Sequence, residues 1–262
     1  MPVTTVANHK GGVGKTMLAL LIAAELAQRG RRVLLVDCDP QGNLSRRCGY
    51  TKAELAERLS TAEVIRDKSP ELLAAATLPC QWEDEFADRI FVVPARKELE
   101  QRASEGAGTG SWRRLNAALA QARDIYDDIL IDTPPQLGHL LHNALVASDH
   151  IIIPTEPELD SIQGVYRLQE FLDSEEEGKA LGVTASVAGV IINTFRARVV
   201  THETRAAEIR TTWGPLVWAP PIPLTVRLQD TSEFAEPPQK AGADLTMIAS
   251  MMGDSYLKAV AA

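Results

Sequence analysis

The stretch Lys10-Gly11-Gly12-Val13-Gly14-Lys15-Thr16 holds the residue types that grip a phosphate. Its glycines let the backbone curl so that successive N–H groups face anionic oxygens. Lys15 has the reach for the β and γ phosphates of a nucleotide, and the Thr16 hydroxyl suits a magnesium ion. The general P-loop pattern places a glycine five residues before Gly14; this chain has His9 there, so the strict motif is not met. Two further segments end apolar runs with carboxylates: Asp37-Cys38-Asp39-Pro40-Gln41-Gly42-Asn43 and Asp132-Thr133-Pro134-Pro135. A carboxylate at the carboxyl end of a parallel strand faces the crevice where such sheets bind ligands. Asp132 is suited there to hold Mg²⁺ through water.

The elements that must position these residues are legible in the hydrophobic pattern. Val3–Ala7 reads as a strand, Lys15–Gln28 as a helix and Arg32–Asp37 as a second strand, which together make a βαβ unit. Ile90–Val93, Ile129–Asp132, His150–Pro154 and Val187–Asn193 are continuous apolar runs of the kind buried on both faces of a parallel sheet. Helical stretches separate nearly all of them. The fold class is therefore α/β, a doubly wound, mostly parallel sheet flanked by helices, and no composition break divides residues 1–262 into more than one domain. Thr51-Lys-Ala-Glu54 predicts a capping box, and Ser69-Pro70-Glu71 a helix start. The acidic run Asp173–Gly178 reads as a solvated loop. Six prolines between Gly214 and Pro238 predict an irregular region. Gly106-Ala-Gly-Thr-Gly110 follows a charged helical segment instead of a strand, so it reads as a connection and not as a dinucleotide loop.

Bulk properties narrow the function classes. With 45% hydrophobic and 24% charged residues, the 262-residue chain is a globular protein with a sizeable core. A net charge of −8 excludes coating nucleic acid with the whole surface, so any DNA contact must use a local patch. Cys38, Cys48 and Cys80 form no Cys-x-x-Cys pair and suggest neither a disulfide framework nor a zinc ribbon, which fits a reducing cytoplasm. His139 and His142 lack a third ligand nearby, and no Gly-x-Ser-x-Gly elbow is present. No secretory leader opens the sequence, and the longest apolar run, Met17–Ala24, falls short of the roughly 20 residues a membrane span needs.

The extra lysine at the start of the glycine loop, Lys10, followed in order by the Asp37–Asn43 and Asp132–Pro135 segments, resembles the ParA/MinD family of deviant Walker A ATPases. The likeness runs along nearly the whole chain and is nearest to the ParA-type, Soj-like partition ATPases. It implies ATP and Mg²⁺ as ligands, with residues Lys10 to Thr16 and Met17 around the nucleotide. Lys10 would reach the phosphates of a partner subunit in an ATP-dependent homodimer. Asp37 would join Thr16 and Asp132 around the magnesium, and Asp39 would position the attacking water, so that Lys10, Lys15 and Asp39 carry the catalysis. Two positions depart from the common pattern: His9 where glutamine is frequent, and Met17 where a second hydroxyl residue is frequent.

The resemblance also implies nonspecific binding of double-stranded DNA and a ParB-like, centromere-binding partner that stimulates slow hydrolysis. Arg198 and Arg227 match the positions that contact DNA. The spacing of Arg198, His202 and Arg205 predicts one basic helical face, whose alternative is pairing with Glu203, Glu208 and Asp230. Asn193 and Pro220–Pro223 lie where relatives hold adenine. Three rivals share the fold. A MinD-like membrane ATPase is disfavoured because residues 243–262 carry Lys258 as their only cation, beside a core-like stripe of Leu245, Ile248 and Met252. An iron–sulfur ATPase is disfavoured because Cys38 sits within a nucleotide motif. A biosynthetic enzyme that activates a small substrate with ATP is disfavoured by Lys10.

Overall fold

A computed structural model describes residues 1–104, 110–233 and 235–261. Most of the apolar runs become strands of one eight-stranded sheet, in the order β3-β4-β2-β5-β1-β6-β7-β8. The strands are β1 (Val3–Val6), β2 (Val33–Asp37), β3 (Leu78–Pro79), β4 (Ile90–Val93), β5 (Asp128–Asp132), β6 (His150–Thr155), β7 (Ser186–Ile192) and β8 (Val217–Trp218). Every pairing is parallel except that of β3 with β4. The chain leaves β1 toward β2 on one side and later returns to lay β6 on the other, and this reversal opens a crevice at the carboxyl end of β1.

The helix Lys15–Gln28 follows β1 through the glycine loop and is apolar almost all round, with Leu18 to Ala24 buried without interruption. Such a helix must be covered on both sides. One side meets the sheet, and the other meets the C-terminal helix Ala243–Val260, whose Leu245, Ile248 and Met252 are buried as their stripe predicts. Tyr256 secures that helix: its hydroxyl donates to Asp128 Oδ1 at 3.1 Å and lies 3.3 Å from Thr4 Oγ1, while Arg31 holds the other Asp128 oxygen at 2.6 Å. On the opposite face Thr61–Asp67, Pro70–Ala76 and His139–Ala147 cover β2, β4 and β5.

Both anticipated helix starts are present. Thr51 and Glu54 form the reciprocal capping box, and Ser69 Oγ accepts from Leu72 N–H. Of the acidic run Asp173–Gly178 only residues 174–177 form a turn-rich connection, because Asp173 closes the helix Leu159–Asp173 and Gly178 opens the helix Gly178–Leu181. Residues 106–109 of the glycine-rich segment lie outside the described residues. The proline-rich region differs from expectation, because it contains the short strand β8 and the helix Val226–Glu233. The prolines cluster at 215–223 and 237–238, and the stretch between is free to wind.

The second half of the sheet depends on one close approach. The register of β7 against β6 shifts at Ala188, and the Trp218 indole fits over Gly189 and donates Nε1–H to the Ala188 carbonyl at 3.1 Å. A Cβ at Gly189 would collide with that ring. Gly189→Val should therefore lower unfolding free energy by about 1–3 kcal/mol, measured as a reduced midpoint in urea with an unchanged slope.

Candidate phosphate-binding site

Parallel pairing brings the three motifs to one height. Asp37 lies opposite Asp132 across β2 and β5, and Asp132 lies opposite Val6 across β5 and β1. The loop of residues 10–16 therefore starts from a strand end beside Asp132, with Asp37 one strand further on. Gly12 and Gly14 have φ of 83° and 90°, the left-handed region that glycine alone enters freely. Gly14 has a second constraint, since a Cβ there would run into the Asn193 amide. Asn193 is buried behind β7 and donates Nδ2–H to the Val13 carbonyl at 2.9 Å. In the structure its amide clamps the glycine loop, and it is absent from the lining of the cavity in front of that loop.

The cavity is lined by Gly11, Gly12, Lys15, Thr16 and Met17 on one side and by Asp39, Asn43, Arg47 and Thr133 on the other. Val13 is buried beneath the loop. The helix Lys15–Gln28 begins at Gly14 with no side chain capping its first N–H groups, so these donors and the positive end of the helix dipole face the cavity. Thr16 Oγ1 donates to Asp132 Oδ2 at 2.6 Å, and Asp132 Oδ1 accepts from Thr133 N–H at 3.1 Å. Asp37 accepts from the Ser45 backbone N–H at 2.9 Å, from the Ser45 hydroxyl at 2.6 Å and from Asp39 N–H at 3.1 Å. Asp39 Oδ1 accepts from Gln41 N–H at 3.0 Å, which holds the turn in front of Pro40. One hydroxyl and two carboxylates give an all-oxygen donor set of the kind a hard divalent cation takes.

The two lysines are held differently. Lys15 is buried, with Nζ donating to the carbonyls of Lys10 at 3.1 Å and Asn8 at 3.5 Å. Burial lowers its pKa, opposed by the charges of Asp132 and Asp39. Lys10 turns away from the cavity and pairs with Glu158 at 3.2 Å and Glu156 at 3.7 Å. The sequence reading missed Asn8, whose side chain donates to the Pro154 carbonyl at 2.7 Å and accepts from Lys10 N–H at 2.9 Å, so that it shapes the loop's entry. It also missed Ser45, Glu156 and Glu158. Their types carry no signal at such separations, and only the fold brings them in.

The predicted basic face is not formed. The helix begins at Val200, so Arg198 precedes it, in a left-handed conformation with φ of 69°. His202 Nδ1 accepts from Arg196 N–H at 3.2 Å, and Arg205 pairs with Glu208 at 2.5 Å. Arg198 and Arg227 are exposed. Their segments run together: Phe195 N–H donates to the Ile222 carbonyl at 2.9 Å and Leu224 N–H to the Phe195 carbonyl at 3.1 Å. Among the described residues no cluster of three metal-binding side chains of the His, Cys, Asp and Glu types occurs. No described helix is long and apolar enough to cross a membrane.

Burial, reinforced by mutual repulsion, raises Asp37 to about 8, against the bonds from Ser45. Burial likewise raises Asp132 to about 6, with Asp39 adding to the rise and Thr16, Lys15 and Arg47 opposing it. A carboxyl group whose pKa is higher folded than unfolded costs nothing below its unfolded value, and its penalty grows until pH passes the folded value. Without ligands the protein should therefore lose stability between about pH 4 and pH 8. Urea titrations across that window should show a falling midpoint, and Asp37→Asn should flatten the fall; a slope unchanged by the substitution would assign it to other groups.

Comparison with known proteins agrees with this geometry. A family model described as an AAA domain matches residues 1–180. The chain is 31% identical to the sporulation initiation inhibitor protein Soj of Bacillus subtilis over 249 residues, covering 93% of this chain and 94% of Soj. It is 32% identical to the chromosome partitioning protein ParA of Caulobacter vibrioides over 238 residues, covering 90% and 85%. A solved structure called cobyrinic acid a,c-diamide synthase, from Mycobacterium smegmatis with bound ATP analogue and magnesium, is 30% identical and superposes with a TM-score of 0.73, covering 94% of each chain. The order of the strands, the two-lysine glycine loop and the paired carboxylates thus go with sequence identity along the chain's length: it belongs to the ParA/Soj family of partition ATPases.

Proposed function

We propose that this chain, acting as one domain, is a Mg²⁺-dependent ATP switch whose ATP form is a homodimer that holds double-stranded DNA without reading its sequence. The observation that carries the reading is the meeting of Thr16, Asp37 and Asp132 at the mouth of a loop that also presents Lys15 and the first N–H groups of its helix. Thr16, with Asp37 and Asp132, would hold the magnesium, which when bound offsets charge on the phosphates. Lys15, Gly11, Gly12, Gly14 and the backbone of Val13 would cradle the phosphates, with Met17 beside them. Asp39, held by its turn at the cavity wall, would orient the attacking water. Asn193 would act on the nucleotide by holding the loop. Lys10 would leave Glu156 and Glu158 to reach the partner's phosphates, so dimer formation and nucleotide binding become one event.

Intrinsic turnover would be slow, and a ParB-like, centromere-binding protein would stimulate it and release the DNA. Few phosphate contacts per subunit suffice when a dimer doubles the patch. In the cell this describes a cytoplasmic protein that associates with the nucleoid in its ATP state. The name of the solved Mycobacterium smegmatis relative favours a second reading, an ATP-dependent amidation enzyme acting on a small substrate.

Sedimentation with ADP, with Mg²⁺ and a nonhydrolysable ATP analogue, and with that analogue plus random-sequence duplex should give a monomer, a dimer and a DNA-bound dimer in turn. A monomer throughout, together with ATP turnover that rises with cobyrinic acid instead of DNA, would replace the switch by the amidation enzyme. Arg198→Glu with Arg227→Glu should lose most duplex affinity, at least about tenfold, and keep analogue-driven dimerisation. Retained DNA binding in a fluorescence-anisotropy titration would move the DNA surface elsewhere.

A further inference from the structure

The cavity contains a cation that the sequence pattern does not point to. Asn43–Arg47 is a five-residue helix directly after Gly42. Its rotation is fixed because Leu44 and Cys48 are buried in the apolar cluster beneath the P-loop helix, and because Trp82 Nε1 donates to the Arg47 carbonyl at 2.7 Å. Asn43 and Arg47, four residues apart on the remaining face, therefore line the cavity together with Lys15, Thr16 and Asp39.

Arg47 Nε is buried without a hydrogen-bond partner, and among the described residues the guanidinium makes no ion pair within 4.0 Å. Four other arginines with partly buried side chains are matched: Arg29 with Glu25 and Asp254, Arg31 with Asp128, Arg96 with Glu63, and Arg123 with Asp149. Burial opposes the charge on Arg47, and the Asp132 carboxylate favours it without an ion pair between them. A partly desolvated charge without an ion pair is costly, and a sequence that keeps one beside an anion-binding loop leaves it to be satisfied by the ligand. The planar guanidinium presents a fork of donors that matches two phosphate oxygens at once.

We propose that Arg47 is a further phosphate-binding residue of this chain, directed at the terminal phosphate of a nucleoside triphosphate. Its neighbours in the cavity place it there: Thr16 and Asp39 belong to the magnesium and hydrolysis end of the site, whereas Asn193 is on the far side of the loop. The assignment rests on reading the cavity as an ATP site. It adds selectivity between triphosphate and diphosphate that does not depend on the partner subunit, because Arg47 acts within its own chain, whereas Lys10 is paired away from the cavity in the single chain.

The test compares wild type, Arg47→Met and Arg47→Lys by calorimetric titration with Mg²⁺ and either a nonhydrolysable ATP analogue or ADP, and by thermal melting of each protein without ligand. The expected result is a loss of about tenfold or more in analogue affinity for Arg47→Met, a change below about threefold for ADP, and a partial recovery in Arg47→Lys. Ligand-free Arg47→Met should melt no lower than wild type, because a partly buried charge without an ion pair has been removed. Equal losses for both nucleotides, unchanged affinity for the analogue, or a clearly lowered melting temperature without ligand would each overturn the assignment. Wild type that binds neither nucleotide would instead overturn the ATP site itself.

Discussion

The parallel register of β2, β5 and β1 is the constraint on which the site depends. These three strands lie side by side, and their carboxyl ends supply Asp37, Asp132 and the start of the glycine loop at one level. A shift of one residue along β5 would turn Asp132 to the other face of the sheet and break its bond with Thr16. The apolar side chains that alternate between two covered faces prevent that shift, since Leu130 and Val33 pack under the P-loop helix while Ile129 and Ile131 pack on the opposite face. Thus the hydrophobic pattern, which carries no chemistry of its own, sets the geometry of the chemistry.

What the strands bring together is electrostatically unbalanced. Two buried carboxyl groups stand side by side, Lys15 is desolvated, and among the described residues Arg47 Nε has no hydrogen-bond partner. In an ordinary core each of these would be a defect. Their concentration at one cavity, while charges such as Asp128 and Arg31 are closely matched, separates the part of the molecule built for stability from the part built for a ligand. Lys10 shows the same division in another form, because its pairing with Glu156 and Glu158 satisfies it in the single chain.

Much of this was legible in the sequence because it is local. The βαβ unit, the strand ends and the glycine loop are set by residues close to one another, and Lys15–Gln28 has the anticipated bounds. Two-residue strands such as Leu78–Pro79 and Val217–Trp218 carry too few residues for any periodicity, and they exist because a neighbouring edge accepts them. The basic face is absent for a related reason: helical spacing does not hold at Arg198, where the chain takes a left-handed turn before the helix begins. The helix within the proline-rich region is hidden by the density of prolines over the whole stretch, although none falls between Pro223 and Pro237. Arg47 and Asn8 were invisible because nothing in their immediate sequence says which side of the sheet they will face.

The mutual cover of the P-loop helix and the C-terminal helix has a consequence for synthesis on the ribosome. The apolar outer face of Lys15–Gln28 is closed by Ala243–Val260, and Tyr256 reaches back to Thr4 and Asp128. The segment that anchors the phosphate loop is thus translated long before the helix that covers it. Until Ala243–Val260 emerges, the nascent chain carries an uncovered greasy surface that invites chaperones or aggregation. A message truncated shortly before that helix would yield a product with every nucleotide motif intact and no finished scaffold to hold them.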